Sequence, residues 1–309
     1  MSQNIFVMGL GNMGAALAKT LLGKGYPVTV WNRTESKVTP LLDAGATLAH
    51  AIADGIAANE VILVCLNNYE ASRRALSTCS DLTGKTLIQL TTGSTHEASN
   101  LQDWVTQRGG RYLDGAILAY PSGIGSPGCA LLVAGHEAAW SSAQDVVLTL
   151  GPASQYLGDN ITAPATLDFA VIFPTVTLML AVVQSIHALE GTGVSIETYA
   201  DMIAPIFGSA GHSIKALAHS IALNDFSQTE ASLAVWQAAL ENASNSFRPG
   251  PKNLDLVDAV SQILSGAVAG GAGSQNLAAT IQYMRDSPQN RAGSSESAGS
   301  RPGFRKVGV

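Results

Sequence analysis

Short apolar runs alternate with longer mixed stretches through the first half of the chain. Five runs rich in β-branched and aliphatic residues lie between residues 4 and 160, namely Ile5–Met8, Val28–Trp31, Val61–Leu66, Thr86–Leu90 and Ala130–Ala134. Strands that are apolar along their whole length are typical of a parallel sheet covered by helices on both faces. This part of the sequence therefore predicts a doubly wound α/β domain.

The pattern changes near Thr162. Strand-like runs end there, and long Ala- and Leu-rich stretches follow, with predicted breaks at 191–193, 205–211, 224–225 and 248–251. We expect an all-helical region that begins with a long helix from about Pro164 to Leu189. Because this helix is apolar nearly all round, it must be buried on several sides, and sharing it across a dimer interface would bury it. Its most apolar run, Phe169–Val183, has 15 residues, fewer than the roughly 20 that span a bilayer.

Composition narrows the classes of protein that fit. Of the 309 residues, 46% are hydrophobic and 13% are charged, and the net charge is −6. A negative protein has no general attraction for nucleic acid or anionic membrane surfaces, so we expect neither as a partner. The cysteines, Cys65, Cys79 and Cys129, are too scattered for a disulfide framework or a zinc site. With no leader-like segment before the first strand, we expect a reduced, cytoplasmic protein without a bound metal.

A glycine-rich turn directly follows the first predicted strand. Its residues are Gly9, Leu10, Gly11, Asn12, Met13 and Gly14, and a helical run comes next. A GxGxxG sequence between a strand and a helix is the dinucleotide-binding turn of Rossmann folds. Gly9 permits the tight turn, Gly11 lets a diphosphate approach the backbone, and Gly14 lets the helix pack closely on the sheet. Leu66, at the end of the third predicted strand, is expected to border the same cofactor site.

The end of the second strand indicates which dinucleotide binds. NAD-binding domains place an acidic residue there for the ribose, whereas this chain has Asn32, Arg33 and Thr34, with Lys37 one turn later. Arg33 can bond a 2′-phosphate through two N–H groups, and Thr34 and Lys37 add a hydroxyl and a second cation. The cluster predicts NADPH rather than NADH, although an ordinary basic loop would have the same composition.

Further segments, taken with these motifs, resemble a known family. They are Leu90–Thr95, Tyr112–Gly125 and the helical segment Leu167–Ala170. With them, the chain resembles the imine reductases and reductive aminases, relatives of the β-hydroxyacid dehydrogenases, over roughly residues 4 to 286. The resemblance implies an NADPH-dependent oxidoreductase that acts on imines, or on a ketone plus an amine, and that forms a helix-swapped homodimer.

The motifs and the change in pattern together predict four regions. Residues 1–161 are expected to form an NADP-binding Rossmann domain, and residues 162–190 an interdomain helix. Residues 191–286 are expected to form a helical domain for substrate binding and dimerisation. The Ser-, Gly-, Pro- and Arg-rich segment 287–309 is expected to be a flexible tail without a functional role.

The long helix contains the residue that separates two branches of this superfamily. β-Hydroxyacid dehydrogenases have a lysine there that supports the developing alkoxide, but this chain has no lysine between Lys85 and Lys215 and has Asp168 at the matching place. A carboxylate instead stabilises a positively charged iminium. By resemblance, Asp168 is the catalytic proton donor or electrostatic partner of the substrate nitrogen. Alternatively, Asp168 only interacts with the helix dipole, since it lies a few residues after Pro164.

Two positions depart from the reductive aminases. Val176 stands where many of them have a tyrosine, and Thr92, which is expected to border the cofactor, stands where they have an asparagine. Since valine cannot donate a hydrogen bond, these changes favour the reduction of a preformed imine over the condensation of a ketone and an amine on the enzyme. Tyr120, expected to overlook the nicotinamide, can replace the lost hydroxyl.

The helical region is expected to wall an apolar substrate pocket suited to hydrophobic cyclic imines. By resemblance, Trp236 and Gln237 form one wall, and Ile206 and Phe207 face them. A role of Trp236 and Phe207 in the core explains them equally well. His187 and His212 lie on Ala- and Leu-rich helices and are assigned no chemistry.

Two other functions fit parts of the sequence. A β-hydroxyacid dehydrogenase-like oxidoreductase would have the same cofactor motifs, although the helix lysine is absent. A non-catalytic NADPH-binding protein would keep the glycine turn and lose the chemistry, as the changes at Val176 and Thr92 allow.

Overall fold

The computed structural model describes residues 3–208, 210–247 and 253–286. The chain divides into two compact units, the first ending at Thr175 and the second beginning at Val176. The predicted break at 248–251 and the predicted tail at 287–309 lie outside the described residues.

The first unit is built on one sheet of eight strands. The strands are β1 Ile5–Met8, β2 Val28–Trp31, β3 Thr47–Leu48, β4 Val61–Val64, β5 Thr86–Gln89, β6 Arg111–Ile117, β7 Leu131–Gly135 and β8 Gln155–Tyr156. The helices between them are α1 Asn12–Gly23, α2 Thr39–Leu42, α3 Ile52–Ala58, α4 Tyr69–Leu76, α5 Thr95–Thr106 and α6 Glu137–Leu150.

The strand order is β3-β2-β1-β4-β5-β6-β7-β8, and each pair of neighbouring strands from β3 through β6 is parallel. Strand β7 runs antiparallel to β6, with Leu113 opposite Gly135, and β8 is parallel to β7. The order 3-2-1-4-5-6 is that of the Rossmann fold, whose switch point lies between β1 and β4. The predicted Rossmann-type sheet is therefore confirmed, and the switch point locates the ligand-binding edge.

Helices cover both faces of this sheet. Alternate residues of β1 point to opposite faces, so Ile5 and Val7 pack with α1 and α6, whereas Phe6 and Met8 pack with α3 and α5. All four β1 side chains are fully buried. This double burial explains why the central strands are apolar along their whole length.

The predicted strands match the sheet except at its polar and short members. Strands β4 and β5 end at Val64 and Gln89, before their predicted ends at Leu66 and Leu90. Strand β6 was not predicted as a strand because its middle contains Asp114 and Gly115 instead of an apolar run. Strands β3 and β8 have two residues each, too few to show a periodic pattern.

Every regular element described after residue 162 is a helix, so the predicted helical region is confirmed. The helices are α7 Ala163–Leu189, α8 Ile196–Gly208, α9 Ala210–Leu223, α10 Leu233–Asn245, α11 Asp255–Ala267 and α12 Thr280–Asp286. The boundary between α8 and α9 lies within the predicted break at 205–211, but α8 continues through Pro205 to Gly208, so the break begins later than predicted. A proline removes one hydrogen bond and bends a helix without always ending it. Helix α10 begins at Leu233, after two turns in which the side chains of Asp225 and Thr229 accept hydrogen bonds from the amides of Ser227 and Ala231.

Helix α7 is longer than its most apolar run indicated. It has 27 residues, is apolar enough by composition to cross a membrane, and contains Pro174. The length argument against a membrane span is therefore wrong. The bent pair Asp255–Ala272 and Leu277–Asp286 meets the same criterion when taken as one span. Core helices of soluble proteins also have this length and composition.

Candidate active site

The glycine turn between β1 and α1 has the geometry that a diphosphate needs. Gly9 has φ +95°, and a Cβ on it would lie 2.2 Å from the carbonyl oxygen of Cys65. A Cβ on Gly14 would lie 1.8 Å from the carbonyl oxygen of Gly9, so packing within the protein requires both glycines. Gly11 differs, because it has φ −65° and a Cβ on it would meet nothing within 4 Å. Nothing in the described chain requires a glycine there, and the space beside it fits a bound group.

A groove of about 620 Å³ opens from this turn along the switch point. It is lined by most of the predicted cofactor residues, namely Gly9, Gly11, Asn12, Met13, Gly14, Asn32, Arg33, Thr34, Lys37 and Leu66. It is also lined by residues that were not predicted, namely Trp31, Cys65, Asn67, Ala71, Arg74 and Ala75. Among the described residues along the groove, three are cations and none is a carboxylate. Burial raises the pKa of the Cys65 thiol to about 11, so it stays neutral beside an anionic ligand.

The α1 N-terminus supplies the anion-binding groups of the groove. The N-cap residue is Gly11, which makes no side-chain cap hydrogen bond, and the first turn contains no acidic residue. The free N–H groups and the positive end of the helix dipole therefore face the open space beside Gly11. This arrangement fits the diphosphate of a dinucleotide, and the cations at the β2 end fit a phosphate on its ribose.

Asn32 shapes the groove through the backbone. Its side-chain Oδ1 accepts a hydrogen bond from the amide of Leu10 at 2.9 Å, and its Nδ2 donates to the carbonyl of Thr34 at 2.9 Å. Leu10 itself is buried and does not line the groove. Asn32 therefore joins the glycine turn to the basic loop that contains Arg33.

Asp168 of α7 interacts with Thr92, which follows strand β5. Thr92 lies on the loop after β5, and its hydroxyl hydrogen bonds to the half-buried carboxyl group of Asp168. Burial raises the pKa of Asp168, and the hydrogen bond from Thr92 lowers it. Thr92 is thus a partner of the predicted catalytic acid. The adjacent Thr91 accepts a hydrogen bond from the amide of Leu66 at 3.0 Å, which links the same loop to the cofactor groove.

The helix-dipole explanation of Asp168 does not fit the structure. Helix α7 begins at Ala163 and has no acidic residue in its first turn. Dipole interactions decline beyond the first turn, so Asp168 is too far along the helix for this role. Its described partner is a side chain from another element.

A second carboxyl group is buried near Asp168. Asp114, in the middle of β6, is 2% exposed and accepts hydrogen bonds on Oδ1 from the hydroxyls of Tyr69 and Tyr112, the latter at 2.9 Å. Burial raises the pKa of Asp114 to about 6, the tyrosine hydroxyls lower it, and the charge of Asp168 raises it. Burial also raises the pKa of both tyrosines, so they remain hydrogen-bond donors.

The predicted substrate-pocket residues lie in both units. Tyr120 precedes a short 3-10 turn of the first unit and is 79% exposed. Val176, Ile206, Phe207 and Trp236 are exposed side chains on α7, α8 and α10 of the second unit. Gln237 donates to Ser265 at 3.1 Å. Their assembly into one pocket stays a prediction.

Sequence reasoning missed the tyrosine–aspartate cluster. Tyr112 and Asp114 lie in a segment on which the family resemblance was based. The sequence does not show, however, that Tyr69 of α4 contacts the face of β6 on which these two side chains lie. A signal was present, because an aspartate inside an otherwise apolar run is rarely buried without partners. Within the described ranges, no group of three His, Cys, Asp or Glu side chains is arranged to hold a metal ion.

Known proteins share this fold and sequence over most of the chain. Residues 4–158 match the family model described as the NAD binding domain of 6-phosphogluconate dehydrogenase. The chain is 31% identical over 289 residues to an NADPH-dependent reductive aminase of Aspergillus oryzae (strain ATCC 42149 / RIB 40), an alignment that covers 92% of this chain and 98% of the relative.

Solved structures agree with this relationship. A reductive aminase from Aspergillus terreus in complex with NADPH and ethyl levulinate has a TM-score of 0.87 at 30% identity, covering 92% of this chain and 100% of that one. An imine reductase from Myxococcus stipitatus in complex with NADP+ has a TM-score of 0.87 at 30% identity, covering 91% and 99%.

The strand order, the glycine turn and the basic groove define a Rossmann-type dinucleotide-binding protein. The chain belongs to the imine reductase and reductive aminase family, within the 6-phosphogluconate dehydrogenase-like superfamily. The resemblance inferred from the motifs is therefore confirmed.

Proposed function

We propose that this protein is an NADPH-dependent imine reductase that uses Asp168 to manage the proton on the substrate nitrogen. The observation that carries the proposal is the contact between Asp168 and Thr92, on a loop whose neighbouring Thr91 holds Leu66 of the cofactor groove. An acid is thereby positioned beside the cofactor edge of the sheet. The helix lysine of the β-hydroxyacid dehydrogenases is absent, and a carboxyl group favours a cationic substrate.

NADPH is the cofactor that the groove fits. The open space beside Gly11 and the free α1 N–H groups would hold the diphosphate. Arg33, Thr34 and Lys37 would hold the ribose 2′-phosphate, since two of them are cations and the third has a hydroxyl. NADPH supplies a hydride when it is bound. The relatives in complex with NADPH and NADP+ support this assignment.

Asp168 supplies the proton in the proposed reaction. Its carboxyl O–H protonates the imine nitrogen, and the carboxylate that results stabilises the iminium by its charge. The bound cofactor would supply the hydride that adds to the carbon and would itself become NADP+, so that the C=N π electrons become the nitrogen lone pair of the amine. Thr92 holds the carboxyl group in place by its hydrogen bond. Solvent returns a proton to Asp168 for the next turnover.

The preferred substrate class is a preformed, hydrophobic imine. Tyr120, Ile206, Phe207, Trp236 and Gln237 are proposed to line its pocket. Val176 offers no hydrogen bond where many relatives have a tyrosine, so the condensation of a ketone with an amine is expected to be the weaker activity.

The active form is proposed to be a cytoplasmic homodimer in which α7 is exchanged between subunits. The exposed apolar side chains of α7, among them Phe173, Met179 and Val183, support this proposal, because a second copy would cover them. Neither nucleic acid nor a membrane is proposed as a partner. The functional regions are proposed to be 1–161 for NADPH, 162–190 as the connecting helix and 191–286 for substrate and dimerisation.

The reaction class can be tested by NADPH consumption with 2-methyl-1-pyrroline as substrate. We expect turnover by the natural chain and a fall of at least about tenfold in kcat for Asp168→Ala, with the Kd of NADPH unchanged. Asp159→Ala is a matched control, since Asp159 is an exposed carboxylate of the same unit outside the groove lining. Oxidation of a β-hydroxyacid with NADP+, without imine turnover, would instead assign the protein to the parent dehydrogenases. Tight NADPH binding without turnover of any imine would indicate a non-catalytic role.

A further inference from the structure

One of the three cations of the cofactor groove has no role in holding a phosphate. Arg33 and Lys37 follow β2, at the end proposed to hold the ribose 2′-phosphate, whereas Arg74 lies on α4. The α1 N-terminus supplies free N–H groups for the diphosphate. Both phosphate positions therefore have donors without Arg74. The adenine base is the group in this half of the dinucleotide that still needs a contact.

Helix α4 presents one face to the groove and another to the core. Ala71, Arg74 and Ala75 line the groove, and residues three and four positions apart lie on the same side of a helix. The two alanines together form the alanine wall of the groove. Arg73, about 100° round the helix from Arg74, lies outside the described lining of the groove and borders a separate cavity. The buried residues of the core face are Tyr69, Ser72 and Leu76.

Buried hydrogen bonds hold the core face of α4 in place. The hydroxyl of Tyr69 donates to Asp114 of β6, and the side-chain amide of Gln89 of β5 donates to the Ser72 hydroxyl at 3.0 Å. Satisfied polar contacts of this kind fix a helix on its sheet, so the alanine wall is rigid. Its methyl side chains leave a shallow surface on which a flat ring can lie.

Arg74 is placed to cover a ring that lies on this wall. Its Nη2 is 3.7 Å from Oε1 of Glu70, and the two side chains are 72% and 80% exposed. Exposed ion pairs contribute little to stability, so Arg74 can leave Glu70 for a better partner. A guanidinium is planar and stacks on aromatic rings, nucleobases included. Arg74 therefore fits one face of an adenine ring whose other face meets the alanine wall.

We propose that Arg74 exchanges its ion pair with Glu70 for the adenine ring of the cofactor, which it stacks against the alanine wall of α4. This inference rests on the proposed binding of NADPH in the groove. Because NADPH and NADH have the same base, Arg74 strengthens the binding of both. Arg33 and Lys37, by contrast, select between the two dinucleotides.

The direct test is fluorescence titration of the full-length protein with NADPH and with NADH, without an imine. Arg74→Ala should raise both Kd values about fivefold to tenfold, because the base loses its stacking partner. Arg73→Ala is the matched control, since it removes the neighbouring arginine of the same helix and should leave both Kd values unchanged. An unchanged Kd in Arg74→Ala, a loss confined to NADPH, or an equal loss in Arg73→Ala would overturn the proposal.

Two further substitutions at Arg74 separate stacking from contact with a phosphate. Arg74→Tyr keeps a planar group and loses the charge, whereas Arg74→Lys keeps the charge and loses the plane. Stacking predicts a Kd for Arg74→Tyr within about threefold of that of the natural chain. Arg74→Lys should then resemble Arg74→Ala. The reverse order would assign Arg74 to a phosphate and overturn the proposal.

The alanine wall is tested without changing any charge on the arginine. Ala75→Leu fills the space in front of the half-buried Ala75 and should raise the Kd of both dinucleotides at least about tenfold. Leucine is a good helix former, so the melting temperature should stay close to that of the natural chain. Arg73→Leu places the same side chain outside the groove and should bind normally. Normal binding by Ala75→Leu would show that the base lies elsewhere.

The exchange of partners predicts competition between Glu70 and the base. Glu70→Gln should lower both Kd values about twofold, because Arg74 no longer has an ionic partner on the helix. In the Arg74→Ala background the same substitution should have no effect. An equal gain with and without Arg74 would contradict the exchange, since it would then reflect only the loss of a negative charge.

These titrations distinguish a failure of the adenine contact from a failure of the proposed reaction. If the natural chain binds NADPH and reduces no imine, the expected losses in Arg74→Ala and Ala75→Leu would still support the contact. If the natural chain binds neither dinucleotide, the adenine contact and the proposed cofactor are both wrong.

Discussion

The two units of the chain differ in how completely they bury their own apolar surface. In the first unit, two clusters flank the sheet and contain most of its aliphatic side chains. Before α7, the exposed large apolar side chains of the described first unit are Leu42, Tyr120 and Leu148, and the part of α7 that belongs to this unit adds Leu167, Phe169, Val171, Ile172 and Phe173. In the second unit one smaller cluster forms around Leu233 and Leu264. Its other helices expose residues such as Met179, Val183, Met202 and Trp236.

The difference shows which part of the fold is self-sufficient. A sheet with helices on both faces closes its core within one copy of the chain, so its polar groups can be buried and organised, as the Asp114 cluster is. A helix that is apolar all round needs further surfaces to cover it. The residues that line the cofactor groove all belong to the first unit, whereas the environment of the second unit depends on what covers its helices.

The largest effect is expected at the glycine turn, where packing and ligand binding can be separated. Gly14→Ala would place a Cβ 1.8 Å from the Gly9 carbonyl oxygen, and should lower the free energy of unfolding by more than about 3 kcal/mol. Gly11→Ala meets nothing within 4 Å. It should change stability by less than about 1 kcal/mol while raising the Kd of NADPH at least about tenfold.

Urea unfolding and fluorescence titration with NADPH measure the two quantities for both variants. If Gly11→Ala bound NADPH as tightly as the natural chain, the space beside Gly11 would not be the diphosphate site.

The next effect concerns the exposed face of α7. Val183 is 62% exposed. Its replacement by glutamate should therefore not disturb an isolated subunit, but it should disrupt a dimer interface that buries this position. Val183→Glu is expected to weaken self-association about a hundredfold, close to 3 kcal/mol, as measured by analytical ultracentrifugation. Leu148→Glu, on the first unit and 40% exposed, is the control and should sediment like the natural chain. Unchanged sedimentation of Val183→Glu would remove α7 from the interface.

The smallest effect is expected at the basic end of the groove. Arg33→Ala should raise the Kd of NADPH by about tenfold to thirtyfold, since a charge-assisted hydrogen bond contributes about 1.5–2 kcal/mol. The Kd of NADH should change little. Arg73→Ala, which removes a cation of α4 that borders a different cavity, controls for net charge. Equal losses for both dinucleotides would show that Arg33 recognises a feature they share.

The cofactor site was largely predictable because its determinants are local. The glycine spacing, Arg33 and Lys37 all lie within short turns after β1 and β2, and strand direction alone brings those turns together. Arg74 and Asn67 were not predicted, since they join the groove only through the packing of α4. Leu10 was assigned to the cofactor, but its side chain is buried and its amide bonds to Asn32.

The acid–base site was predictable only in part. The absence of a lysine and the family resemblance pointed to Asp168, whereas its contact with Thr92 depends on how α7 leaves the sheet. Asp114 was missed because a strand pattern does not reveal which helix contributes Tyr69 opposite it. The long Ala- and Leu-rich stretches predicted the helices of the second unit, but Pro205 shows that a residue which usually ends a helix can be accommodated inside one.

The bridge made by Asn32 limits how the nucleotide preference of this enzyme can be redesigned. Its side chain connects the amide of Leu10 to the carbonyl of Thr34, so the diphosphate turn and the phosphate-selecting loop share one support. Replacing the whole basic loop together with Asn32, in order to accept NADH, would remove that support and weaken the binding of either cofactor. A successful exchange would change Arg33 and Lys37 and leave Asn32 in place.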